Sequence, residues 1–90
     1  MQTKMTPKEI ADEIRFSLSM GGRVHVRFRK KDGSIRMAVV TTNQAEIPQN
    51  KLPKYVRSVP AGMVTAFDIH KGDWISFRED QAENYKNQTN

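Results

Sequence analysis

The sequence predicts a small, mostly β domain with one N-terminal helix, of the α+β class. Three observations lead there. Two stretches alternate apolar and polar residues around glycine turns, at residues 23–42 and 63–78. One amphipathic stretch with a complete start signal precedes them, at residues 6–20. The chain has 90 residues and no cysteine, so a single small core must hold it without disulfides or thiolate metal sites. A domain of this size buries only about 60–65% of its unfolded surface. The expected organisation is one domain over 1–90: an arm at 1–5, a helix at 6–20, a β core at 23–79 and a polar tail at 80–90.

Thr6-Pro7-Lys8-Glu9 is a capping box, with threonine at the N-cap, proline at the first helical position and glutamate at the third. It predicts a helix from Pro7 to Leu18 or Ser19. Ile10, Ala11, Ile14 and Leu18 fall on one stripe of that helix, and Phe16 and Met20 fall off it. Gly21-Gly22 ends it, one glycine taking the left-handed position after the cap.

Val24, Val26 and Phe28 alternate with Arg23, His25, Arg27 and Arg29. Asp32-Gly33 then predicts a type I′ turn. A two- or four-residue loop pairs Phe28 with Met37, Val26 with Val39 and Arg29 with Arg36. The buried face is then Val24, Val26, Phe28, Met37 and Val39. The opposite face carries Arg23, His25, Arg27, Arg29 and Arg36, with a like-charge Arg29–Arg36 pair that costs stability.

Residues 43–62 hold Pro48, Pro53 and Pro60 and read as a long ordered crossover, with a short turn near Leu52 to Arg57. Ile47, Leu52, Tyr55, Val56 and Val59 are expected to pin it to the core. The second hairpin runs from Met63 to Arg78 around His70-Lys71-Gly72-Asp73, with Ile69 opposite Trp74 and Ala66 opposite Phe77. Phe67, Ile69 and Trp74 share one face, and Val64, Ala66, Ile75 and Phe77 the other. Both faces need cover, and the helix is the expected cover for the outer one. After Arg78 the chain turns acidic and polar from Glu79 to Asn84, residues 80–90 form a polar tail, and Lys86 to Asn90 are expected to fray. Two hairpins joined by a crossover predict a small Sm-like or SH3-like barrel, or a strongly bent antiparallel sheet.

Phe28-Arg-Lys-Lys-Asp-Gly-Ser-Ile-Arg-Met37, Ile47-Pro48, Ala66-Phe67-Asp68-Ile69 and Trp74-Ile-Ser-Phe-Arg78 together resemble a family of short proteins from tailed phages and prophages. That family is described as a WYL-like, Sm-like SH3 β-barrel, once a domain of unknown function. The resemblance covers residues 23–79. It implies the barrel fold and a phage setting, hence the cytoplasm of a bacterial host, and it implies no mechanism. WYL-type domains of larger bacterial regulators sense ligands or nucleic acid through basic and aromatic side chains; the Trp-Tyr-Leu tripeptide itself is absent here.

Net charge is +5, and its distribution is uneven. Residues 21–40 alone carry Arg23, Arg27, Arg29, Lys30, Lys31 and Arg36 against Asp32. A basic stripe of this kind is an electrostatic footprint for a polyanion. Arginine forks in it suit phosphate oxygens. The nucleic-acid-binding residues expected are therefore Arg23, His25, Arg27, Arg29, Lys30, Lys31 and Arg36. Phe28 and Phe67 point inward in this register, which leaves Tyr55 and Trp74 as the stacking platforms. Backbone contact with DNA or RNA is expected over base recognition. The competing class is an inhibitor or modulator that docks on an acidic surface of a host polymerase, nuclease or defence protein. Catalysis has no support: there is no His-Glu-x-x-His, Walker loop or Gly-x-Ser-x-Gly. No cofactor or metal is expected, and no apolar run approaches the ~20 residues of a membrane span.

Overall fold

The computed structural model describes residues 5–52 and 61–87. It contains one helix, α1 (Pro7–Ser19), and five strands: β1 (Val24–Arg29), β2 (Ile35–Thr41), β3 (Met63–Asp68), β4 (Asp73–Arg78) and β5 (Ala82–Asn87). The strands form one antiparallel sheet in the order β4-β3-β2-β1-β5. Short 3₁₀ turns lie at Gln44–Glu46 and Gln49–Lys51 in the crossover, and at Glu79–Gln81 between β4 and β5.

That order cannot stay flat. Four strand spacings of about 4.8 Å would set β4 and β5 about 19 Å apart. Four residue steps from Arg78 to Ala82 reach at most about 14 Å. The sheet must therefore curl until its outer strands approach. The aromatic rings record the same closure: Phe28 of β1 and Phe77 of β4 stack at 4.5 Å between centroids, 8° from parallel, although two strands separate theirs in the sheet. The result is a bent sheet closing into a small barrel around Val24, Val26, Phe28, Val40, Val64 and Phe77.

The capping box forms as the sequence requires. The Glu9 backbone N–H donates to Thr6 Oγ1 at 3.2 Å, and the Thr6 N–H donates to Glu9 Oε1 at 2.9 Å. Ile10, Ala11, Ile14 and Leu18 are buried, while Phe16 and Met20 are exposed. Gly21 follows the C-cap Met20 at φ +83°. The helix packs on β5, on the 79–81 turn and on β1. Arg15 fastens it, pairing with Glu79 and donating from Nη2 to the Met63 carbonyl at 3.0 Å. It does not cover the outer face of the second hairpin. Among the described residues the crossover does that: the Trp74 indole N–H donates to the Lys51 carbonyl at 2.7 Å, and Ile47 is buried. Tyr55, Val56, Val59 and most of the turn expected near 52–57 lie outside the described residues.

Three further expectations need correction. First, the β1–β2 register is one residue away from the expected one. Val24 pairs with Val40, Val26 with Ala38, Arg27 with Met37, Phe28 with Arg36 and Arg29 with Ile35. The loop holds three residues: the Lys30 N–H donates to the Ser34 carbonyl at 2.7 Å and the Gly33 N–H to the Lys30 carbonyl at 2.9 Å. Gly33 has φ +89°, and only glycines among the described residues take positive φ, so Asp32 is not in the conformation a type I′ turn demands. Because strand side chains alternate, a slip of one inverts the face. Ala38 and Val40 are buried in place of Met37 and Val39, and Met37 is 76% exposed. Arg36 shares the inner face with Phe28, and the Arg29–Arg36 cross-strand pair does not exist.

Second, β3–β4 turns through four residues, with Phe67 opposite Trp74, Ala66 opposite Ile75 and Val64 opposite Phe77. The slip is two residues, so every side chain keeps its expected face. Third, residues 82–87 are a strand of the sheet and not part of a polar tail outside the β core. β5 pairs with β1 along its length, with a bulge that leaves Glu83 extra between Ala82 and Asn84. Its Glu, Asn and Lys content is poor in strand formers. Ala82 is buried and Tyr85 packs at the core rim.

Candidate nucleic-acid interface

The seven basic residues singled out from sequence fall into two groups. His25, Arg27 and Arg29 are exposed on the outer face of β5-β1-β2. There Lys86 lies opposite His25 and Met37 opposite Arg27. Arg23 precedes β1, and its Nε donates to Glu46 at 2.6 Å, tying it to the crossover. Arg29 is paired with Glu83 at 3.4 Å.

Lys30, Lys31 and Arg36 gather elsewhere, at the mouth of the barrel. A cleft of about 620 Å³ lies between the β1–β2 tip and the edge strand β4. Five cations line it: Lys30, Lys31, Arg36, Lys71 and Arg78. Its apolar part is Phe28, Met63, Trp74, Ile75 and Phe77, and none of the described carboxylates lines it. Two of the cations are balanced close by. Arg36 Nη2 meets Asp68 Oδ2 at 2.5 Å, and Arg78 pairs with Asp80 at 3.3 Å on the surface. Lys30, Lys31 and Lys71 form no ion pair among the described residues.

Asp68 organises this mouth. It is 2% exposed, and its Oδ1 accepts from the His70 and Lys71 backbone N–H groups at 3.0 Å each. Its other oxygen takes Arg36. One buried carboxylate thus shapes the turn that carries Lys71 and holds the guanidinium beside it. Arg36 stays 29% exposed, with donors left on its fork for an anion. At the other tip Asp32 plays a lighter version of the part. It accepts from the Ser34 N–H at 2.9 Å and Ser34 Oγ at 2.6 Å, and these bonds hold its pKa below the ordinary value. Both hairpin tips are therefore aspartate-braced turns that end in a positive-φ glycine and present lysine to one cleft.

Lys71 and Arg78 belong to this group beside Trp74, the stacking platform expected from sequence, and local sequence pattern could not place any of the three with Lys31. They lie about forty residues from Lys31, and only closure of the sheet brings them together. The one hint is the shared tip composition, a lysine within two residues of a glycine in both turns, Lys31 with Gly33 and Lys71 with Gly72.

A closing five-stranded sheet with one N-terminal helix is an architecture consistent with an Sm-like SH3 barrel. A family model described as WYL_2, Sm-like SH3 beta-barrel fold, matches residues 12–82. The chain belongs to that family. No curated protein and no solved structure gives a significant match to it. The WYL_2 match runs from the middle of α1 to the first residue of β5, so it spans both hairpins and the whole mouth. Among the described residues of this WYL_2 chain, no three His, Cys, Asp or Glu side chains are grouped to hold a metal ion. No helix among them is long and apolar enough to cross a membrane.

Proposed function

We propose that this WYL_2 protein is a non-enzymatic binding protein that holds DNA or RNA by its sugar–phosphate backbone in the mouth cleft. The observation that carries the reading is the convergence of Lys30, Lys31, Arg36, Lys71 and Arg78 on one cleft, with three of the five unpaired among the described residues. Like charges gathered from both hairpins raise the energy of the free protein, and an anion relieves that cost. Lysine and arginine at phosphate release condensed counterions, which makes such binding steeply salt-dependent. A phage setting, in the host cytoplasm and in a regulatory or host-takeover role, is part of the proposal. The resemblance of the Lys-Lys-Asp-Gly-Ser turn and the Trp-Ile-Ser-Phe-Arg strand to short phage proteins supports it.

The test is a titration of short random-sequence nucleic acid at rising salt. The expected result is measurable affinity at low salt that falls linearly on a log–log plot, with a slope of about −0.7 to −0.9 per phosphate neutralised. No affinity at low salt would overturn the reading.

A second reading has its own observation. The outer face of β5-β1-β2 exposes Met37 among His25, Arg27, Arg29 and Lys86. An apolar centre in a basic ring suits an acidic protein surface, such as that of a host factor. A pull-down whose catch is unchanged by nuclease and by moderate salt, and is lost with Met37→Glu, would favour it.

A further inference from the structure

The mouth cleft holds more than a polyanion requires. A phosphate chain alone is satisfied by cations at a surface, yet here the lysines stand beside an apolar wall that includes Trp74. Trp74 is half-buried and held on two sides: its indole N–H is bound to the Lys51 carbonyl at 2.7 Å, and its ring meets Phe67 edge to face at 5.8 Å. A ring fixed in this way loses little entropy when a second ring lies on it. The cleft volume, about 620 Å³, falls in the range of small-ligand sites and fits a nucleotide or two. A duplex keeps its base faces stacked inside and cannot offer one. From these observations we infer that the ligand is single-stranded nucleic acid, with one base stacked on Trp74 while Lys31 and Lys71 take the adjoining phosphates. This rests on the nucleic-acid reading above and adds the base to it.

Trp74 is the only tryptophan in the chain, so its fluorescence reports on the site directly. Short oligo-dT and oligo-U are titrated at low salt, beside a duplex and inorganic polyphosphate. Quenching by either single strand, and not by duplex or polyphosphate, is the expected result. Trp74→Leu keeps apolar bulk without an aromatic face, and it should bind labelled single strand about 5- to 150-fold more weakly, the usual value of one base–aromatic stack. Its affinity for polyphosphate should be unchanged. Trp74→Phe should keep most of the single-strand affinity, and it decides the matter if the leucine variant fails to fold. Equal affinity of wild type and Trp74→Leu for single strand, or quenching no greater than with polyphosphate, would overturn the inference and leave backbone binding standing. Absence of binding to every polyanion at low salt would remove both.

Discussion

The β1–β2 hairpin turns through three residues, and the β3–β4 hairpin turns through four. The second has Phe67 opposite Trp74 on one side and Ala66 opposite Ile75 on the other; Phe67, Ala66 and Ile75 are buried, and Trp74 is half-buried at the cleft. The first is buried on one side only. Its inner face ends in Arg36, and its outer face carries Arg27 beside an exposed Met37. An odd loop count thus decides which side of a strand meets the core. Here it moves one arginine from the outer face to the mouth, where it joins Lys71 from the other hairpin. The place of Arg36 in the cleft is a consequence of turn length.

The contact shared by the two hairpins should be the costliest to remove. Phe28→Ala deletes the ring stacked on Phe77, and a loss of about 3–5 kcal/mol in denaturant melts is expected. That is a large share of a small domain's stability. Asp68→Ala follows, because it leaves Arg36 without its counter-charge and two turn N–H groups without their acceptor. About 3 kcal/mol is expected. The equivalent change at the other tip, Asp32→Ala, touches only exposed groups and should cost far less. If the two aspartates proved equal, the contrast between a buried and a solvated turn would fail.

Register is sharpened by two residues on opposite faces of β2. Val40→Ala should cost about 2 kcal/mol, whereas Met37→Thr should stay within about 0.5 kcal/mol of wild type. The reverse order would restore the two-residue turn. The smallest effect concerns acid. The Asp32 carboxylate is held below its ordinary value of 3.8 by bonds from Ser34. A lowered folded pKa gives stability that is present above the unfolded pKa and lost as pH falls through the folded one. Asp32→Asn should therefore shallow the decline in stability below about pH 4, leaving the neutral range little changed, as seen in acid titrations followed by circular dichroism.

The helix was legible in full because its signals are local: a capping box, a stripe and a glycine stop all lie within sixteen residues. The second hairpin's faces were legible even though its register was not, since a slip of two preserves alternation. The first hairpin's register was not, because Asp-Gly serves a two-residue turn and a three-residue turn with a glycine bulge alike. Nothing in Ala82-Glu-Asn-Tyr-Lys-Asn87 announced a strand; β1 supplies its partners and α1 its cover. Of the cleft, Lys30 and Lys31 were legible as basic residues of the turn and Trp74 as a stacking candidate, whereas Arg36 was expected on the outer face. The meeting of Lys30, Lys31 and Arg36 with Lys71, Trp74 and Arg78 depends on sheet closure, which no local pattern encodes.

The central claim is that the mouth, and not the outer sheet face, carries nucleic-acid affinity. The most direct measurement is the salt slope of short single-strand binding for Lys31→Ala, Lys71→Ala and Arg27→Ala. Each lysine change should weaken binding and lower the slope by about one unit per lost phosphate contact, while Arg27→Ala keeps the wild-type slope. A slope lowered by Arg27→Ala and untouched by both lysine changes would contradict it.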